Sequence, residues 1–168
     1  AARGPEDATQ RMATALEQAA EQAGLASIQE VAYVGLGSPG TMDIAEGMLL
    51  EPPNLPGWND FPIVSRLEHH CGRPVAFNND AGAAAFGEFW VGTGREHSSL
   101  VMFTLGTGVG GGIILHEESI EGEHSHGAEL GHIIIDWNSS ARVCSCGQGG
   151  HLEGYASATA VIQRMHEA

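Results

Sequence analysis

Leu105-Gly106-Thr107-Gly108-Val109-Gly110-Gly111-Gly112 runs directly into Ile113-Ile114-Leu115-His116, and that continuation separates two different architectures. Gly106, Gly108 and Gly111 satisfy G-x-G-x-x-G, the spacing of a dinucleotide-binding turn, so a nicotinamide-dependent dehydrogenase is one reading. Such a turn must open a helix, whose amino terminus meets the pyrophosphate. Here the glycines lead into a β-branched apolar run, which predicts a strand over 112–116. A second strand is predicted over 98–105, so the glycines form the tip of a hairpin. Their backbone N–H groups can then face phosphate oxygens, with the Thr107 hydroxyl as a further donor. A glycine-rich turn that binds nothing would carry the same sequence.

Outward from this hairpin, the periodicity predicts a helix over 7–23, with Met12, Leu16, Ala19, Ala20 and Ala23 on one face and Gly24 as its stop. A buried strand over 31–36 empties into Gly37-Ser38-Pro39-Gly40. Residues 44–59 read as loop or short hairpin. Asp60 is expected to cap a helix that runs to Cys71 and ends at Gly72. A strand over 74–77 precedes Asn78-Asn79-Asp80, and an Ala-rich helix follows over 81–88. Ile133-Ile134-Ile135 reads as one more strand, and 152–167 as a last helix. Alternating strands and helices predict α/β architecture.

Composition narrows the partners. The 168 residues are 42% apolar, enough for a hydrophobic core, and no apolar run reaches the length of a membrane span. Seven arginines, no lysine and 21 acidic residues leave a formal charge of −14. Nucleic acid and polyphosphate are poorly matched to such a surface, and a Walker-type phosphate loop is excluded because its lysine is missing. Cys144-Ser145-Cys146 is too tightly spaced for a good disulfide but suits a metal. With no secretory leader in view, an intracellular protein is expected.

Two clusters carry candidate chemistry. Asp80 follows Asn79 at the predicted carboxyl end of a strand, where open α/β sheets build ligand sites. Its carboxylate can accept a hydroxyl proton and Asn79 can bond a neighbouring hydroxyl, although a plain helix cap would also place Asp there. His132, Cys144, Cys146 and His151 offer four ligands suited to tetrahedral Zn²⁺ in a closed, structural site. Free thiols and hydrogen-bonded histidines are the alternative. His116, His124 and His126 are expected to be solvated or close to substrate rather than metal-bound.

Taken in order, the 106–112 glycines, Asn79-Asp80-Ala81, Glu129-Leu130-Gly131-His132 and Cys144-x-Cys146-Gly-x-x-Gly-His151-x-Glu153 resemble the signatures of ROK-family sugar kinases. Asn54-Leu55-Pro56-Gly57-Trp58 resembles the bacterial glucokinase branch. The resemblance covers the chain from about Val31 onward. It implies an actin-like, hexokinase-like ATPase fold with ribonuclease H-like domains, here incomplete, and a small zinc-binding insertion. Residues 1–104 would be the rest of an amino-terminal sugar-binding lobe, and 105–168 the start of a carboxyl-terminal lobe.

By matching position, the resemblance implies Asp80 as general base and Gly40, Asn54, Asn79, Glu129, His132 and Glu153 as sugar contacts. Gly106, Thr107, Gly108, Gly110 and Gly111 would hold the donor phosphates, and His132, Cys144, Cys146 and His151 would hold zinc, fixing Glu129, His132 and Glu153 around the sugar. The implied activity is transfer of the terminal phosphoryl of ATP, with Mg²⁺, to the 6-hydroxyl of glucose, by a cytoplasmic homodimer. A kinase for N-acetylmannosamine or fructose, and a sugar-responsive transcriptional repressor, are the alternatives within the family. Two departures stand out. His151 occupies a position where the family usually has Cys, and neither the family's early Asp-x-Gly-Gly-Thr-Lys phosphate loop nor its carboxyl-terminal segment is in the sequence.

Overall fold

The computed structural model describes residues 4–52 and 55–167. Within them the chain divides into two compact units, Ala1–Asp80 and Ala81–Ala168. This division by compactness falls at a different place from the lobe boundary expected near residue 104.

In the first unit, α1 (Pro5–Gln22) starts with Pro at its first turn beside Glu6 and Asp7, a ring and two negative charges that suit a helix amino terminus. Its Met12 and Leu16 pack with α2 (Ile63–Cys71) around Val34, Leu67 and Cys71. The parallel pair β1 (Val34–Ser38) and β4 (Val75–Asn79) lies in register from Val34 opposite Val75 to Ser38 opposite Asn79. A small antiparallel hairpin, β2 (Met42–Asp43) with β3 (Met48–Leu49), adds Met42 and Leu49 to a second cluster containing Trp58, Ile63 and Phe77. Met42, Leu49, Ile63 and Leu67 are fully buried, each worth about 1.5–3 kcal/mol of removal from water.

Two expectations are corrected here and a third holds. The first strand starts at Val34 rather than at residue 31 and continues through Ser38, because its partner β4 reaches Asn79 and the ladder persists as far as both strands supply residues. Asp60 does not cap α2. It sits at φ 50, and the helix begins three residues later behind Pro62, which has no side-chain oxygen to offer. Gly72 does close the helix in the left-handed conformation, with φ 65.

In the second unit, α3 (Asp80–Trp90, whose first residue ends the preceding unit) is followed by an antiparallel sheet of β5 (Ser99–Leu105), β6 (Val109–Leu115) and β7 (Glu118–Ser119). The second strand begins at Val109, three residues before the expected start. Gly110, Gly111 and Gly112 are therefore ladder residues opposite Thr104, Phe103 and Met102. Packing explains their lack of side chains: a β-carbon on Gly112 would lie 2.2 Å from the Ala85 β-carbon of α3, and one on Gly111 would lie 2.5 Å from Leu130. Small residues on both faces let helix and sheet backbones approach closely.

Ile133-Ile134-Ile135 forms no strand. Ile134 makes an isolated bridge to His151, flanked by the Ile135 N–H donating to Gly150 and the Leu152 N–H donating to Ile133, a contact too short to extend into a strand whatever the β-branched composition. The last predicted helix is two helices, α4 (Glu153–Ala156) and α5 (Ala158–Glu167), broken at Ser157. The Ser157 hydroxyl accepts the Ala160 N–H at 3.1 Å, so the serine caps α5 instead of continuing α4. Among the described residues, no helix is long and apolar enough to cross a membrane.

Candidate active site

The two parallel strands of the first unit end side by side, and the candidate residues of that unit follow their carboxyl ends. Ser38 is buried and paired with Asn79. Gly40 follows after one proline, at φ 92. Asp80 begins α3, exposed to solvent, and a β-carbon on Gly37 would be in ordinary contact with it, 3.6 Å from its Cα. Gly40, Asn79 and Asp80 are thus gathered at one strand edge because β1 and β4 are parallel and in register; an antiparallel pair would have sent them to opposite ends. Asn54 lies outside the described residues.

In the second unit a single carboxylate organises the remaining candidates. One Glu153 oxygen, Oε2, accepts the Val109 N–H at 3.0 Å at the end of the glycine turn. The other, Oε1, accepts from the Ser145 hydroxyl at 2.5 Å and from the Cys144 thiol at 3.3 Å. Gly108 leaves room for this carboxylate, since a β-carbon there would lie 2.5 Å from Oε2 and displace it. Burial alone would raise the Glu153 carboxyl, but donation by Ser145, the Val109 N–H and Cys144 outweighs it and holds the group below its ordinary value. The turn itself is closed by the Gly106 N–H donating to the Gly108 carbonyl. Its carbonyls at Gly106 and Thr107 accept from the Ala158 N–H and the Thr159 hydroxyl of α5, at 2.9 and 3.0 Å. Gly106 and Thr107 are exposed.

The cysteines sit on a tight turn. Gln148 accepts the Cys144 N–H and Cys144 accepts the Gly147 N–H, at 2.8 and 2.9 Å, and Val143 bridges to Gly149. All three cysteines of the chain are free. Ligand atoms of His132, Cys146 and His151 lie within 4.8 Å of one another, as do those of His132, Cys144 and Glu153. The expected four ligands therefore fall into two triads that share His132, with Glu153 in the second. Cys146 Sγ lies 3.3 Å from His151 Nδ1, near the about 3.6 Å edge of a tetrahedron built from zinc–sulfur and zinc–nitrogen bonds. The His132 and His151 rings stack at 5.0 Å. Donor chemistry and spacing both fit a thiolate–imidazole zinc site. Burial pushes the Cys144 thiol up, against the lowering effect of the Cys146 N–H.

Glu129 precedes the one-turn helix Leu130–His132, and its carbonyl accepts the His132 N–H at 3.0 Å. A further brace was not anticipated from the sequence. The Tyr155 hydroxyl donates to Asp136 Oδ2 at 2.6 Å and accepts the Arg142 N–H at 2.9 Å, and Arg142 also pairs with Glu167. The Tyr155 hydroxyl, then the Asn138 N–H, hold the Asp136 carboxyl below its usual range. Ser145 belongs to no motif singled out in the sequence; its signal is a hydroxyl between two cysteines with a glutamate eight residues on.

Known proteins are similar to this chain in sequence and in fold. The chain is 39% identical over 164 residues to a glucokinase of Thermotoga maritima, covering 98% of this chain and 49% of the relative. A putative xylose repressor of a Caldicellulosiruptor species is 40% identical over 77% of the chain and 32% of its own length. Among solved structures, a ROK hexokinase of Thermus thermophilus superposes with a TM-score of 0.84 at 36% identity, over 98% of this chain and 52% of that one. A ROK glucokinase of Streptomyces griseus in complex with glucose and AMPPNP follows at 0.77 and 35%, over 95% and 48%. The chain spans about half the length of such relatives, and the hexokinase-like α/β fold expected from the sequence is the fold they share. The sequence profile of the ROK family matches residues 2–168, and the chain belongs to the ROK family.

Proposed function

We propose that the whole protein is a glucokinase, transferring the terminal phosphoryl of ATP to the 6-hydroxyl of glucose. The observation that carries this reading is the convergence of Gly40, Asn79 and Asp80 beyond the carboxyl ends of two parallel strands in register, the position where open α/β sheets bind ligands. Asp80 is the general base. Its carboxylate takes the proton of the sugar hydroxyl as that oxygen bonds to phosphorus and the bond from phosphorus to the bridging oxygen breaks, releasing ADP.

Gly40, Asn54, Asn79, Glu129, His132 and Glu153 orient the sugar, whose several hydroxyls match this set of carboxylate, amide and imidazole groups. Gly106, Thr107 and Gly108, with Gly110 and Gly111 behind them, receive the donor phosphates, and Mg²⁺ arriving with ATP offsets their charge. Zinc would be held by His132, Cys146 and His151 with Cys144 beside them, and would supply rigidity rather than a reacting centre. The division into lobes near residue 104, a homodimeric state and a cytoplasmic location belong to the same proposal.

A sugar-responsive repressor is the second reading, favoured by the 40% identity to a putative xylose repressor. A coupled ADP-release assay on the full-length protein with ATP, Mg²⁺ and a panel of hexoses separates the two. Turnover on glucose above all other sugars is expected. Turnover confined to N-acetylmannosamine or fructose would reassign the substrate. Sugar binding without turnover on any hexose would move the reading to the repressor or another sugar-binding role.

A further inference from the structure

We infer that Ser145 is a positioning residue for the reaction: its hydroxyl aims the Glu153 carboxylate, which in turn holds the Val109 end of the glycine turn. The inference rests on the reading of Glu153 as a sugar contact. Metal spacing does not require serine here, since any residue between Cys144 and Cys146 preserves it. What serine adds is a short bond, 2.5 Å from its hydroxyl oxygen to Glu153 Oε1.

The other donor to that oxygen is the Cys144 thiol, at 3.3 Å, and a thiol is a weak donor. Ser145 is exposed, so packing gives no reason for its identity. On the opposite side of the carboxylate, Oε2 accepts the Val109 N–H at 3.0 Å, with Gly108 leaving room for it. With both oxygens engaged, the carboxylate plane cannot turn without breaking a bond. A sugar contact and an edge of the phosphate-binding turn are then held by one side chain, whose orientation depends on Ser145. Losing the hydroxyl should loosen both substrates together, although Ser145 touches neither.

The test compares full-length wild type with Ser145→Ala, Ser145→Thr and Glu153→Gln. Ser145→Ala should lower kcat/KM for glucose by about 5- to 50-fold, the range for losing a hydrogen bond to a charged group that water replaces in part. The loss should appear mainly as higher KM for both glucose and ATP, with kcat changed less. Zinc content and melting temperature should stay at wild-type values, and calorimetry should show the same weakening of glucose binding without turnover. Ser145→Thr, which keeps the hydroxyl, should restore most of the loss. Wild-type KM values in Ser145→Ala would overturn the inference. So would a loss that tracks falling zinc content or melting temperature, because Ser145 would then serve only the scaffold. Glu153→Gln tests the underlying reading separately: an unchanged KM for glucose in that variant removes Glu153 from the sugar site, whatever Ser145 does.

Discussion

The first compact unit is held by large apolar side chains, whereas the second is held by small residues and hydrogen bonds. Met42, Leu49, Ile63 and Leu67 are fully buried in the first unit, with Tyr33 its one strongly exposed large apolar residue among those described. In the second unit Val101, Leu105, Ile134, Trp137 and Met165 are all more than half exposed, while Ala85, Val109, Ile114 and Ala160 are buried. The first unit takes its order from side-chain burial. In the second, glycines let strand, helix and the Glu153 carboxylate approach closely, so that the Val109 N–H reaches that carboxylate.

The largest expected effect tests the first unit's chemistry. Asp80→Asn in the full-length protein should cut kcat by about 10²- to 10⁴-fold, the usual contribution of a positioned base, while glucose affinity by calorimetry stays near wild type. Comparable turnover in the variant would remove Asp80 from the base role.

Next comes packing. In the 168-residue chain, Leu49→Ala should cost about 2–5 kcal/mol in denaturant melts, whereas Val101→Ala, at a position exposed in that chain, should change stability by less than about 0.5 kcal/mol. Similar costs at the two positions would dissolve the contrast between the units. In the second unit the sensitive substitution is the opposite one, small to larger. Gly112→Ala places a methyl where the Ala85 β-carbon stands 2.2 Å away, and should cost about 1–3 kcal/mol through overpacking.

The smallest effect concerns acid. Because the Tyr155 hydroxyl depresses the folded-state Asp136 carboxyl, its stabilising contribution is present above the unfolded value of about 4 and is lost as pH falls through the lower folded value. Asp136→Asn should remove that component from the acid limb of a stability–pH curve, read from denaturant melts across the acid range. A steeper acid limb in the variant would contradict the assignment.

Several elements were legible because their signals are local. Gly72 ends a helix in the conformation that glycine adopts most cheaply. The glycine stretch runs into strand rather than helix, as its β-branched continuation implies. Misread elements share a physical cause. Ile133-Ile134-Ile135 has strand composition, yet pairing is a property of two segments, and its contact with Gly150, His151 and Leu152 amounts to one isolated bridge and single backbone bonds rather than a ladder. Ser157 interrupts a continuous helical pattern because its hydroxyl caps the next helix, a competition between side chain and backbone that periodicity does not register.

The same distinction applies to the site. Residue types and spacing were enough to establish that this chain carries a carboxylate after a strand, a glycine turn and a soft-ligand cluster in an α/β framework, since each is written over a few consecutive positions. Only the folded chain decided that Gly40 and Asp80 share one strand edge, that Gly110 and Gly111 are ladder residues under Leu130 and α3, and that Glu153 ties Ser145 to Val109. Those facts depend on register and on which backbones approach within bonding distance. Such contacts join residues up to 52 positions apart along the chain, far beyond the reach of local propensity.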